Sequence, residues 1–272
     1  MLSRQVPTQM TRYALVIAIL ASLAPVSSAA PGPTAITVTL DGKPQTVAAY
    51  RVSGATQAVI LSSGDLGWAG FVVDLAEFLV SQRIAVLGVN SKAYLESFTS
   101  GKSHLDPSRV PGDFEALARV AAEALGVTAP PVLIGISEGA GLSVMAAADA
   151  SRQSLFRGVI VLGLPGATEL GWRAWRDWTI WITKQNPAEP MAESMAFMGR
   201  IAPLPFVSIQ STHDEFVSLD TAKALFAAAK EPKQLHLIDA VNHRFSDKRD
   251  EVHARTLEAL RWIESLPGNH RQ

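Results

Sequence analysis

The chain has 272 residues, of which 48% are hydrophobic and 18% charged, and a formal net charge of −1. That balance excludes a disordered chain and a nucleic-acid binder: there is enough apolar material for a core, and no sustained basic run. Cysteine is absent, which excludes a thiol nucleophile, a thiolate metal site and any disulfide, so a nucleophile here must be an oxygen.

The N-terminal stretch "MLSRQVPTQMTR" carries Arg4 and Arg12 without an acidic residue, and "YALVIAILASLA" follows as an apolar run too short to span a bilayer. "PVSSAA" then offers Ser28 and Ala30 as the small residues that a leader peptidase selects. Residues 1–30 are expected to be a secretory signal peptide cleaved after Ala30, with an uncleaved anchor as the alternative. Export to a periplasm or beyond is expected, leaving 31–272 as a single domain.

That remainder alternates strand and helix signals. "ITVTL" and "TVAAYRV" flank "DGKPQ" and predict a hairpin. Six short apolar runs follow, at 57–63, 84–90, 131–137, 158–164, 204–210 and 234–240. Between most of them, stretches such as "FVVDLAEFLVSQR", "DFEALARVAAEAL" and "LDTAKALFAAAK" repeat apolar residues every three or four positions. Continuous apolar strands alternating with helices predict an α/β protein with a mostly parallel sheet covered on both faces and ligands at the strands' C-terminal ends.

The segment 167–203 breaks this alternation and is too long for a plain crossover loop. It places Trp172, Trp175, Trp178 and Trp181 three residues apart, which on a helix makes a broad apolar face. Two readings stand: packing onto the body, or a lid facing substrate or membrane.

"GISEGAG", 135–141, lies between the run "PPVLI" and the helical "LSVMAAA". A nucleophile elbow requires a strand turning tightly into a helix, with small residues two before and two after the serine, and Gly135 and Gly139 flank Ser137 accordingly. A serine hydroxyl needs a histidine base and an acid to orient it, and in the α/β-hydrolase order these follow as acid, then histidine, each after a later strand. Asp214 in "STHDEF" and His243 in "NHRF" meet that order, with Glu215 as the alternative acid. The backbone amides of Glu138 and Asp65, the latter in "SSGDLGW", are the expected oxyanion donors. Trp68 from that loop, and Lys92 and Tyr94 from "NSKAYLESF", are expected to border the pocket, although ordinary loop chemistry is the alternative for the last two. No HExxH or clustered His/Asp/Glu pattern is present, so no metal is expected, and no dinucleotide fingerprint points to a cofactor.

"SSGDLGWAGFVVDLAEFLVSQRIAVLGVNSKAYLESF", with "GISEGAG" and "STHDEF", resembles the VirJ/AcvB virulence-factor family of exported α/β-hydrolases, most strongly from 58 to 145. Ser63, Gly64, Asp65, Gly67, Trp68, Tyr94, Ser137, Asp214 and His243 stand at matching positions. Leu66, Asn90 and Glu138 depart from the family's glycine, aspartate and aromatic. The resemblance implies an exported serine hydrolase of a carboxylic ester; with the tryptophan-rich insertion read as a helical lid, a small-molecule or lipid ester substrate and peripheral membrane contact are expected. Lysyl-phosphatidylglycerol is the substrate it suggests. A short-chain esterase, a thioesterase or peptidase, and a non-catalytic binding protein are the competing readings.

Overall fold

A computed structural model describes residues 32–98, 104–171 and 190–267. Strands β1 (Thr34–Leu40) and β2 (Lys43–Tyr50) form the expected antiparallel hairpin. Its turn is Asp41-Gly42 alone, with φ of 40° and 75°. Positive φ at both central residues matches the twist of the flanking strands, so "KPQ" joins β2 instead of lengthening the loop. Pro44 is tolerated because β2 pairs only with β1 there, its pairing to the next strand beginning at Val47.

The chain continues through β3 (Ala58–Ser62), α1 (Phe71–Ser81), β4 (Ala85–Val89), α2 (Ser91–Glu96), α3 (Val110–Leu125), β5 (Val132–Ile136), α4 (Glu138–Ala147) and β6 (Gly158–Leu162). Short strands β7 (Ala167–Glu169) and β8 (Met191–Glu193) then pair as an antiparallel ribbon. They precede α5 (Met195–Met198), β9 (Phe206–Ser211), α6 (Leu219–Ala228), β10 (Lys233–Ile238) and α7 (Arg249–Ser265). The main sheet has the order β1-β2-β4-β3-β5-β6-β9-β10 and is parallel from β4 to β10.

The apolar runs become strands because both sheet faces are covered. On one face, Leu87, Leu133, Val159 and Phe206 pack with Phe114 and Leu117 of α3 and Val144 of α4. On the other, Leu61, Ile134 and Ile209 pack with Leu75 and Leu79 of α1 and Leu260 and Ile263 of α7. Helix α4 is buried on every side from Gly139 to Ala147, so it presents no polar stripe. The insertion expected at 167–203 begins with β7 and ends beyond β8 and α5. Trp172, Trp175, Trp178 and Trp181, like the expected signal peptide, lie outside the described residues.

Two expectations need correction. "NSKAYLESF" is not a pocket loop: it forms α2, capped by Asn90, whose Oδ1 accepts from the Ala93 amide at 3.1 Å. Tyr94 is buried inside the core and donates to Asp113 Oδ2 at 2.5 Å, while Asp113 Oδ1 accepts from the Asp41 amide at 2.6 Å. This knot ties the hairpin turn to α3. Burial pushes the Tyr94 phenol well above its ordinary value, and the Asp113 charge adds to the shift. Trp68 likewise turns away from the site. Its indole covers Gly88 of β4, where a Cβ would come within 2.2 Å of the ring, and its Nε1 donates to the Tyr50 hydroxyl at 3.4 Å.

Tyr94→Phe leaves a buried Asp113 oxygen without its donor. We expect a loss of about 1–3 kcal/mol in urea unfolding, with ester turnover within about twofold of the parent in the same preparations.

Candidate active site

Ser137 occupies the single residue between β5 and α4, with φ 52° and ψ −118°. A side chain in that region costs about 1–3 kcal/mol, so the surroundings must hold it there. The Ser137 amide donates to the Leu162 carbonyl of β6 at 2.9 Å, and the Ala140 amide donates to the Ser137 carbonyl at 2.8 Å. The flanking glycines have steric reasons. A Cβ at Gly135 would stand 2.3 Å from the Gly139 carbonyl oxygen, and one at Gly139 would stand 2.5 Å from the carbonyl oxygens of Ser62 and Ser63. Any side chain at either position would separate α4 from β5 or from β3, and the sharp turn presents the serine hydroxyl at the sheet's C-terminal edge.

The acid and the histidine come from the loops after β9 and β10. His243 Nδ1 lies 2.6 Å from Asp214 Oδ2, with side chains 8% and 0% exposed. Asp214 Oδ2 also accepts from Gln210 Nε2 at 2.8 Å, and its Oδ1 accepts from the amides of Phe216 and Val217 at 2.9 and 2.8 Å. Burial alone would raise this carboxyl. The His243 hydrogen bond and charge and the two amides outweigh burial and hold the group below the ordinary carboxylate value. An ionised Asp214 keeps the proton on Nδ1 and leaves Nε2 free to accept. Glu215 acts elsewhere, since its Oε2 accepts from the His243 amide at 2.7 Å and so fixes the loop's backbone, not the ring. Gly163, at φ 61°, makes room for the imidazole, since a Cβ there would lie 2.5 Å from His243 Cε1.

Ser137 and His243 share the wall of a cleft with Gly64, Asp65 and Leu66, with Phe71 at the start of α1, and with Arg244 and Arg249. Gly64 lies against the elbow, its hypothetical Cβ 3.1 Å from Ser137 Cβ. Both expected oxyanion residues, Asp65 and Glu138, are therefore beside the candidate nucleophile. Their side chains differ in environment. Asp65 Oδ2 meets Arg244 Nη2 at 3.2 Å in an exposed pair, whereas Glu138 Oε2 is buried without a partner among the described residues. Burial first, and the Asp65 charge second, raise the Glu138 carboxyl; its own amide, the Ser137 hydroxyl and His243 oppose the shift without reversing it. The neutral acid is thereby favoured where a carboxylate would repel an oxyanion. For His243, burial alone would lower the imidazole, but Asp214 first, then Glu138 and Asp65, outweigh it and raise it.

Sequence reasoning missed two residues here. Gln210 carries a visible signal, an amide inside an otherwise apolar strand. Arg249 carries none, because one arginine at a helix start resembles any other. No group of residues suited to holding a metal ion occurs among the described residues.

Ser137→Gly relieves the backbone strain that Ser137→Ala keeps, so the glycine variant should be about 0.5–2 kcal/mol more stable than the alanine variant in urea unfolding, with both inactive toward esters. Asp214→Asn should lower kcat by about 10³–10⁴-fold through loss of the correct tautomer. Protonated His243 cannot act as base, so kcat/KM should fall with decreasing pH through a midpoint above imidazole's ordinary value of about 6.5. Asp65→Asn removes one of the charges that raise His243 and should move that midpoint to lower pH in a pH-rate profile.

Among solved structures, a dienelactone hydrolase from Anabaena variabilis superposes with a TM-score of 0.61 at 16% identity, covering 88% of this chain and 100% of its own. The esterase domain of a Rhodothermus marinus protein gives 0.58 at 14%, covering 85% and 98%. A serine hydrolase without a lid from Xanthomonas campestris gives 0.56 at 19%, covering 87% and 97%. These likenesses show the α/β-hydrolase fold. No curated protein matches the sequence. The family described as bacterial virulence protein (VirJ) matches residues 56–235, more than half of the chain, and the protein belongs to that family.

Proposed function

We propose that the protein is an exported serine hydrolase that cleaves a carboxylic ester of a lipid, with an aminoacylated phospholipid such as lysyl-phosphatidylglycerol as its substrate. The observation that carries the hydrolase reading is Ser137 at a strained strand-to-helix turn, sharing a cleft with a histidine whose Nδ1 is held 2.6 Å from a buried aspartate.

In this reading the Ser137 hydroxyl oxygen bonds to the ester carbonyl carbon while His243 Nε2 takes its proton. Amides of the Glu138 and Asp65 segments stabilise the oxyanion. Collapse expels the alcohol, protonated by His243, and leaves an acyl-serine. A water activated by the same nitrogen then releases the acid.

The rim supports a lipid. Leu66, Phe216 and Val241 are 58%, 55% and 62% exposed. Leu66 walls the cleft, Phe216 lies edge-on to the His243 ring at 5.4 Å, and Val241 precedes His243 by two residues. Such apolar side chains at a cleft mouth lose water favourably against an acyl chain or bilayer. No helix among the described residues is long and apolar enough to cross a membrane, so contact would be peripheral. Asp65, paired among the described residues with the exposed Arg244, offers a carboxylate that can exchange its partner for a substrate ammonium group. The leader-like residues 1–30 support export, and the tryptophans at 172–181 support a lid.

The test presents residues 31–272 with lysyl-phosphatidylglycerol, unmodified phosphatidylglycerol and a neutral short-chain ester in parallel, with Ser137→Ala as control. Lysine release by the parent alone is expected. Turnover confined to the short-chain ester would leave a generic esterase, and lysine release that survives Ser137→Ala would remove the serine mechanism.

A further inference from the structure

One cation in the catalytic cleft has no counterpart among the described residues. Arg249, the first residue of α7, walls the cleft with Ser137 and His243, yet its guanidinium makes no hydrogen bond or ion pair with any of them. Its Nη1 is buried from water. Of the neighbouring charges, Arg244 pairs with Asp65 at 3.2 Å, and Asp74, the carboxylate whose field reaches Arg249, is exposed to water.

A buried guanidinium nitrogen without an acceptor is costly, and proteins rarely keep one without an occupant for its donors. Arg249 is also held in place. Its Cζ stands 4.0 Å from the centroid of Phe71, a cleft residue itself, and a cation–π contact of this kind restrains the guanidinium while Nη1 keeps no acceptor. A guanidinium fork suits a group with two oxygens sharing one negative charge. Burial pushes the guanidinium below its ordinary value, with Asp74 opposing, which favours arrival of an anion.

We infer that Arg249 is a specificity residue of the cleft, binding an anionic group, a carboxylate or a phosphodiester, carried by the ester substrate beside its scissile bond. This deepens the esterase reading and rests on it. The ammonium partner suggested for Asp65 and the anion suggested for Arg249 are assigned to different segments, the stretch after β3 and the start of α7, so one substrate can carry both.

The experiment uses the chain 31–272 and three butyrate esters: of glycolic acid, of its methyl ester, and of 2-hydroxyethyl methyl phosphate. These place a carboxylate, a neutral group and a phosphodiester on the alcohol side, and butyrate release is followed for each. The parent should prefer one of the two anionic esters to the neutral one in kcat/KM by about tenfold or more, and the preferred one identifies the anion. Arg249→Gln should reduce that ratio by about the same factor, and Arg249→Lys, which keeps the charge without the fork, should fall between. Binding of the same compounds to Ser137→Ala, with and without Arg249→Gln, reads the subsite without turnover. A parent that favours the neutral ester, or a preference unchanged in both Arg249 variants, overturns the inference. Equal binding of charged and neutral compounds by Ser137→Ala overturns it as well. If no ester is turned over but the Ser137→Ala protein still binds the anion through Arg249, the anion site stands and the esterase reading fails.

Discussion

A serine held at φ 52°, between a strand and a helix with no residue to spare, governs how the middle of this molecule is built. To keep that backbone in place, α4 must press against β5 and β3, which is why glycine stands at 135 and 139, where any Cβ would meet backbone atoms within 2.5 Å. The same closeness requires small residues in the first turn of α4, which is buried from Gly139 to Ala147. A third glycine, Gly141, lets the helix approach the ribbon of β7 and β8, since a Cβ there would lie 1.7 Å from Thr168 Oγ1. Strain at one residue therefore sets the composition of the helix's first turn and the attachment of the segment beyond it.

Around that turn the charges are sorted by depth. Asp214 is fully buried, yet it is surrounded by donors from Gln210, His243 and two backbone amides, so its charge is stabilised where a lone carboxylate would not be. Glu138 is buried beside the serine with too few donors, and the neutral form is favoured. Asp65 is near enough to raise both Glu138 and His243, but it stays at the surface with Arg244. Three carboxyl groups around one serine turn thus differ in role because they differ in their supply of hydrogen-bond donors and water.

Much of this was legible in the residues. Each of the six apolar runs became a strand, since a parallel sheet covered on both faces leaves a pattern that few other structures produce. Ser137, Asp214 and His243 could be picked by chain order and by position after strands, two features that the fold converts into proximity. Tyr94 and Trp68 were misplaced because a loop position says nothing of direction: the Tyr94 hydroxyl found a buried aspartate, and the Trp68 indole found the bare surface of Gly88. Glu215 illustrates the same limit. Adjacent to the acid in sequence, it reaches the backbone of His243 instead of the ring. Arg249 was invisible for the opposite reason, because its significance lies in what surrounds it and not in its own position.

The spread of the cleft along the chain has a further consequence for biogenesis. The elbow follows β5, but the histidine that would activate it follows β10, the outermost strand of the sheet, and α7 closes the chain behind it. A polypeptide emerging N-terminus first can assemble the hairpin, the central strands and the serine turn well before the edge strand arrives. Such an intermediate holds a strained serine with an unreactive hydroxyl and an unpaired edge on β9, ready to accept either β10 or a foreign strand. In the proposed mechanism, reactivity and edge protection appear together in the last step of folding, and labelling of Ser137 by an active-site probe would time the completion of the sheet.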